Sequence, residues 1–131
     1  MDVKISYTRL LVADLNACFE FYRDVMEFKV VMAALDDGYA EFTTPDMRLS
    51  LFKRQEMAEM IGNDRQPLTV ECQDRVALIF TVSDLETVYR QLKAKGVQFV
   101  TEPLNNPYYS LKTVYLRDPD GTLIGLFQPV V

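Results

Sequence analysis

The stretch Leu11-Val-Ala-Asp-Leu15, running on through Asn16-Ala-Cys-Phe-Glu-Phe-Tyr-Arg-Asp-Val-Met26, carries the reading of the whole chain. Before it, Val3 to Val12 is a β-rich run. Asp14 has the short acidic side chain that suits a helix N-cap. After it, Leu15, Cys18, Phe19, Tyr22, Val25 and Met26 recur at helical spacing, with Asn16, Glu20, Arg23 and Asp24 on the other side. This predicts an amphipathic helix lying on a sheet.

The pattern then returns. Val82, Asp84 and Leu85 stand to a second helix as Val12, Asp14 and Leu15 stand to the first. Ser83 with Glu86 reads as a capping box, and Leu85, Val88, Tyr89 and Leu92 form the apolar stripe. Gly96 supplies the stop, and Val97 to Val100 restarts a strand as Phe28 to Met32 does in the first copy. Two more strands follow in each copy. In the first they are Tyr39 to Thr43 and Met47 to Lys53 around Thr44-Pro45-Asp46. In the second they are Leu111 to Arg117 and Thr122 to Gln128 around Asp118-Pro119-Asp120-Gly121. Pro presets φ and Gly accepts positive φ, so both connections read as turns. The chain is thus predicted to be a single domain over residues 1–131: a βαβββ module (3–53), a linker with a short helical turn at Glu56 to Ile61 (54–74), and a second βαβββ module (75–131).

Composition excludes several function classes. The 131 residues include 14 Lys+Arg against 19 Asp+Glu, a formal net charge of −5, which argues against a phosphate-backbone footprint and so against nucleic acid. The chain has no histidine. Neither a Ser-His-Asp nor a Cys-His relay can be built within it, nor the imidazole-rich sites on which most catalytic zinc centres rely. Cys18 and Cys72 are far apart and belong to no C-x-x-C pair, so reduced structural thiols are expected. The N-terminal segment lacks the marks of a signal peptide, and no apolar run has the length of a membrane span. A cytoplasmic protein with no membrane partner is expected.

The combination Leu11-Val-Ala-Asp-Leu15, Glu20-Phe-Tyr-Arg23 and Arg117-Asp-Pro-Asp-Gly-Thr-Leu-Ile124 resembles the vicinal oxygen chelate superfamily, the group of glyoxalase I, bleomycin-resistance proteins and extradiol dioxygenases. The resemblance covers nearly the whole chain. It implies an α+β fold of two tandem βαβββ modules forming open β-sheet cups, with the helices on the outer face. It also implies a homodimer, in which cups are completed across a twofold interface. In metal-dependent members, His, Gln or Glu ligands come from the strands of each module. The corresponding positions here are Tyr7, Ser50, Ala77 and Gly125. A phenol, a hydroxyl, a methyl and a hydrogen are not the donors a divalent cation requires, so no metal and no cofactor are expected.

If Tyr7 faces the cup, alternation places Ile5, Arg9 and Leu11 on the same face. Arg9 is then the sharpest polar candidate, seeking a carboxylate from a neighbour such as Glu41 or from a ligand, or else pairing internally for structure. The same parity brings Arg48, Ser50 and Phe52 to the first cup, and Ala77, Ile79, Thr81, Leu123, Gly125 and Phe127 to the second. The small residues Ala77 and Gly125 are expected to leave space. Tyr108 and Tyr109, in a segment that in the resembling family often covers the pocket mouth, are candidate stacking rings. The candidate ligand-binding set is therefore Tyr7, Arg9, Arg48, Ser50, Phe52, Tyr108, Tyr109 and Phe127, with no catalytic residue assigned.

The resulting expectation is a metal-independent binder of an aromatic or amphipathic small molecule, resembling the bleomycin-resistance branch and holding its ligand at or near a dimer interface. Two alternatives stand beside it. One is a glyoxalase- or dioxygenase-like lyase, isomerase or oxidoreductase using a divalent metal. The other is an interaction protein whose cup is filled by its own side chains.

Overall fold

The computed structural model describes residues 1–68, 71–107 and 110–130. The chain forms two compact units, Met1–Glu71 and Cys72–Val131. Each holds an open four-stranded mixed sheet with a helix packed against it, the α+β duplication expected from the repeat, and the first has a second helix in contact with its strands.

In the first unit, β1 (Thr8–Val12) leads into α1 (Leu15–Glu20), whose N-cap is Asp14: its Oδ1 accepts the Ala17 N–H at 3.0 Å. The helix widens into a π-helical turn at Phe21–Val25, marked by the Met26 N–H donating to the Phe21 carbonyl at 3.0 Å. The strands β2 (Lys29–Ala34), β3 (Tyr39–Thr43) and β4 (Arg48–Lys53) complete the sheet in the order β1-β4-β3-β2, with β1 parallel to β4. A helix, α2 (Arg54–Ile61), follows directly from β4. The β-rich run from Val3 yields a paired strand only from Thr8, because the parallel ladder begins where Thr8 meets Leu49.

Alternation divides this sheet into two different faces. Val12, Leu49, Leu51, Ala40 and Phe42 are buried, and Phe19 and Tyr22 bring their rings to within 5.5 and 6.0 Å of Phe42. This is the core. Burying each large side chain contributes about 1.5–3 kcal/mol, enough for the helix face to set the register. The opposite face carries Arg9, Ser50, Phe52, Tyr39 and Glu41.

The second unit repeats the plan with β5 (Ala77–Thr81), α3 (Leu85–Ala94), β6 (Leu104–Asn106), β7 (Leu111–Arg117) and β8 (Leu123–Pro129), in the order β5-β8-β7-β6. Leu78, Leu85, Leu92, Val114, Leu116, Ile124 and Leu126 are buried. Two local expectations need correction. The cap of α3 is Asp84 rather than Ser83: its carboxylate accepts the Thr87 N–H at 3.2 Å and the Thr87 hydroxyl at 2.7 Å, repeating the Asp14 arrangement. The strand expected at Val97 to Val100 shrinks to one bridge, Phe99 with Leu116, because the Thr101 hydroxyl accepts the Tyr115 N–H at 3.1 Å. Pairing with β7 resumes at Leu104.

The Arg117-Asp-Pro-Asp-Gly segment is a built turn. Asp118, 4% exposed, accepts the N–H groups of Asp120 and Thr122, both at 2.9 Å. Gly121 sits at φ +91°, where a Cβ would be strained. Arg117 donates to the Gly121 carbonyl at 2.8 Å and clamps Asp74 through both terminal nitrogens, at 2.8 and 2.7 Å.

Candidate functional site

The duplicated register allows the two sheets to be compared row by row. In the first, Arg9 lies opposite Ser50, and Ser50 opposite Glu41. In the second, Ile79 lies opposite Gly125, and Gly125 opposite Tyr115. The same place in the fold is therefore polar in one copy and apolar in the other.

Arg9 organises the first face. Its Nε donates to Ser50 Oγ at 3.3 Å and its Nη2 to the Tyr7 hydroxyl at 3.0 Å. The guanidinium carbon lies 5.4, 5.6 and 5.3 Å from the ring centroids of Tyr7, Tyr39 and Phe52. Such a cation–π setting favours a weakly hydrated planar cation, for which Arg suits better than Lys. Beneath it, Ser50 is wholly buried, its hydroxyl satisfied by Arg9. Tyr7, by contrast, is 40% exposed, so the group opens to solvent on that side.

Glu41 serves other partners. It accepts the Tyr39 hydroxyl proton at 2.7 Å and pairs with Arg48 Nε at 3.4 Å, with Glu41 largely covered and Arg48 half exposed. Burial, then the hydrogen bond and negative charge of Glu41, push the Tyr39 phenol above its ordinary pKa; Arg9 and Ser50 oppose this. Glu41 is thus engaged by a phenol hydroxyl and a guanidinium other than that of Arg9. Among the described residues, no carboxylate pairs with Arg9, whose hydrogen-bond partners are hydroxyls.

Of the sequence-predicted site residues, Tyr7, Arg9, Ser50 and Phe52 meet in one cluster, with Arg48 tied to its edge through Glu41. Tyr108 and Tyr109 lie outside the described residues. Phe127 belongs to the second sheet, where its ring meets Tyr115 edge-on at 5.9 Å. Tyr39 escaped the sequence reading, although its i, i+2 relation to Glu41 on β3 gives it the same face.

The space expected over Gly125 is taken. A Cβ at Gly125 would lie 2.7 Å from Ile79 Cδ1 and 3.0 Å from ring carbons of both Tyr115 and Phe127. Glycine is needed there because its own neighbours close over it. Elsewhere in the first unit, a concavity of about 240 Å3 lies against α2, lined by Leu11, Arg54, Ala58, Ile61 and Leu68. Its Arg54 guanidinium donates to the carbonyls of Leu11 (2.7 and 3.1 Å) and Leu68 (2.9 Å), which ties the segment after α2 back to β1.

The residues at the positions the resemblance assigns to metal ligands do not fit a cation. Ala77 and Gly125 offer no donor, and Ser50 is engaged by Arg9. Among the described residues, no three of His, Cys, Asp and Glu converge.

Comparison with known proteins agrees with this architecture. The uncharacterized protein YraH of Bacillus subtilis (strain 168) is 31% identical over 126 residues, spanning 96% of this chain and 98% of YraH. Among solved structures, a glyoxalase/bleomycin resistance protein/dioxygenase from Nocardioides superposes with a TM-score of 0.77 at 24% identity, covering 99% of this chain and 87% of its own. A lactoylglutathione lyase from Agrobacterium tumefaciens gives 0.74 at 23% identity, with 97% and 94% covered. These two likenesses speak to the fold. The sequence profile of the Glyoxalase/Bleomycin resistance protein/Dioxygenase superfamily matches residues 4–126, and with the duplicated βαβββ architecture this establishes that the chain belongs to that superfamily.

Proposed function

We propose that this protein is a metal-independent small-molecule binder that holds an aromatic or amphipathic ligand against the polar face of its first sheet. The observation that carries the reading is Arg9, a cation set among three aromatic rings and hydrogen-bonded to hydroxyls. Binding sites of this kind are mostly apolar surfaces with a few polar fixtures, and Tyr7, Tyr39 and Phe52 around Arg9 and Ser50 match that description. Binding without chemical change, as in the bleomycin-resistance branch, is favoured over catalysis. The chain has no histidine, and the assigned ligand positions carry too few donors for a divalent cation. The working form in this proposal is a homodimer with the site at or near its interface. Its compartment is the cytoplasm, where the exposed Cys72 thiol stays reduced.

The reading of a cup filled by its own side chains has support only in the second sheet, at Gly125. Native mass spectrometry of untagged protein taken directly from its host tests the proposal. Two copies carrying an extra organic mass and no divalent metal are expected. Stoichiometric divalent metal would overturn it in favour of a glyoxalase-like enzyme.

A further inference from the structure

The polar face of the first sheet carries more cationic than anionic side chains among the described strand residues, although the chain as a whole is acidic. Arg9, Arg48 and, opposite Thr43 at the sheet edge, Lys29 share it with a single carboxylate, Glu41. That carboxylate is already engaged by Tyr39 and Arg48.

We propose, resting on the small-molecule reading above, that the ligand is a planar aromatic anion, recognised through a carboxylate or equivalent oxyanion at Arg9 with its ring beside Tyr7, Tyr39 or Phe52. Three features converge on that chemistry. Arg9 is held in place by Ser50 and Tyr7, so little side-chain freedom remains to be lost on binding. Hydroxyl partners orient the guanidinium without neutralising it, leaving its charge for an incoming acid. The rings at 5.3 to 5.6 Å from its carbon offer stacking or edge contact to a ligand ring attached to that acid. A cationic ligand would meet this cluster with like charge.

The test is a matched pair of probes, 2-naphthoate and 2-naphthamide, which share ring and shape and differ in charge. They are titrated by fluorescence into the full chain and into its Arg9→Gln and Arg9→Lys variants. Naphthoate is expected to bind about tenfold or more tightly than naphthamide, the scale of one charge-assisted hydrogen bond. Arg9→Gln should erase the preference by lowering naphthoate binding toward that of naphthamide, an unchanged far-ultraviolet circular dichroism spectrum showing that the variant is folded; Arg9→Lys should retain part of it. Equal binding of the two probes to the native chain would overturn the anion assignment and leave the small-molecule reading standing. Binding of neither would count against both. A preference that survives in Arg9→Gln would remove Arg9 from the role.

Discussion

The two sheets are copies in backbone and opposites on one face. Both bury an apolar layer beneath a helix capped by aspartate, Asp14 in one and Asp84 in the other, aliphatic and aromatic in the first and aliphatic in the second. On the opposite face, the row Arg9–Ser50–Glu41 corresponds to Ile79–Gly125–Tyr115. The shared layer maintains the fold, so it tolerates little change. The divergent face is where one copy has kept polar groups in a cluster and the other has closed over a glycine.

The largest effects are expected where the two copies agree. Phe42→Ala in the first core should cost about 3–5 kcal/mol and Leu126→Ala in the second about 2–5 kcal/mol, read by chemical denaturation. Loss of stability from only one of them would mean that the copies do not contribute alike. Next in size is Gly125→Ala. The new methyl would press on Ile79, Tyr115 and Phe127, with an expected cost of about 1–3 kcal/mol. Unchanged stability would show that this face has room after all.

Smaller effects belong to the polar face. Arg9→Ala removes two hydrogen bonds from a half-buried group and should shift the melting temperature by only a few degrees, about 1 kcal/mol. Large unfolding instead would assign Arg9 to structure. Tyr39 sharpens the contrast spectroscopically. Its raised pKa means that the folded state holds the phenolic proton more tightly than the unfolded chain does. The associated stability is therefore complete below the ordinary tyrosine value of about 10 and is lost as pH rises through the folded value. Ultraviolet titration should show a late-titrating component that is lost in Tyr39→Phe and moves toward the ordinary value in Glu41→Ala.

The smallest effect lies at the second helix cap. Hydrogen bonds from the Thr87 hydroxyl and then its backbone N–H hold the Asp84 carboxyl below its usual pKa. Its contribution is present above the ordinary aspartate value of about 3.9 and disappears as pH falls through the lowered one. Asp84→Asn should flatten that part of an acid-unfolding curve.

Much of this was legible in the residues. The repeat of Val-x-Asp-Leu gave both helices, and β3 and β7 begin and end at the residues expected from their patterns. What escaped depended on neighbours. Leu104-Asn105-Asn106 has little strand character and is a strand because β7 lies beside it, whereas Val97 to Val100 looks like a strand and finds only one partner. At the site, parity correctly gathered Arg9, Ser50 and Phe52. Pairing of Arg9 with Glu41, one of the partners open to it, does not form; the Arg9 nitrogens donate to the hydroxyls of Ser50 and Tyr7, and Glu41 accepts from Tyr39. Arg48, on the adjacent strand, takes Glu41 instead.

In the proposed function, ligand recognition resides on the first sheet's polar face, around Arg9. Its most direct test is nuclear magnetic resonance of the labelled full chain titrated with 2-naphthoate, following Arg9 Nε–H and the ring signals of both sheets. Saturable shifts centred on Arg9, Tyr39 and Phe52 are predicted, with those of Tyr115 and Phe127 much smaller. Shifts centred on Tyr115, Phe127 and Ile79, with Arg9 unmoved, would place recognition on the second sheet and overturn the role of Arg9.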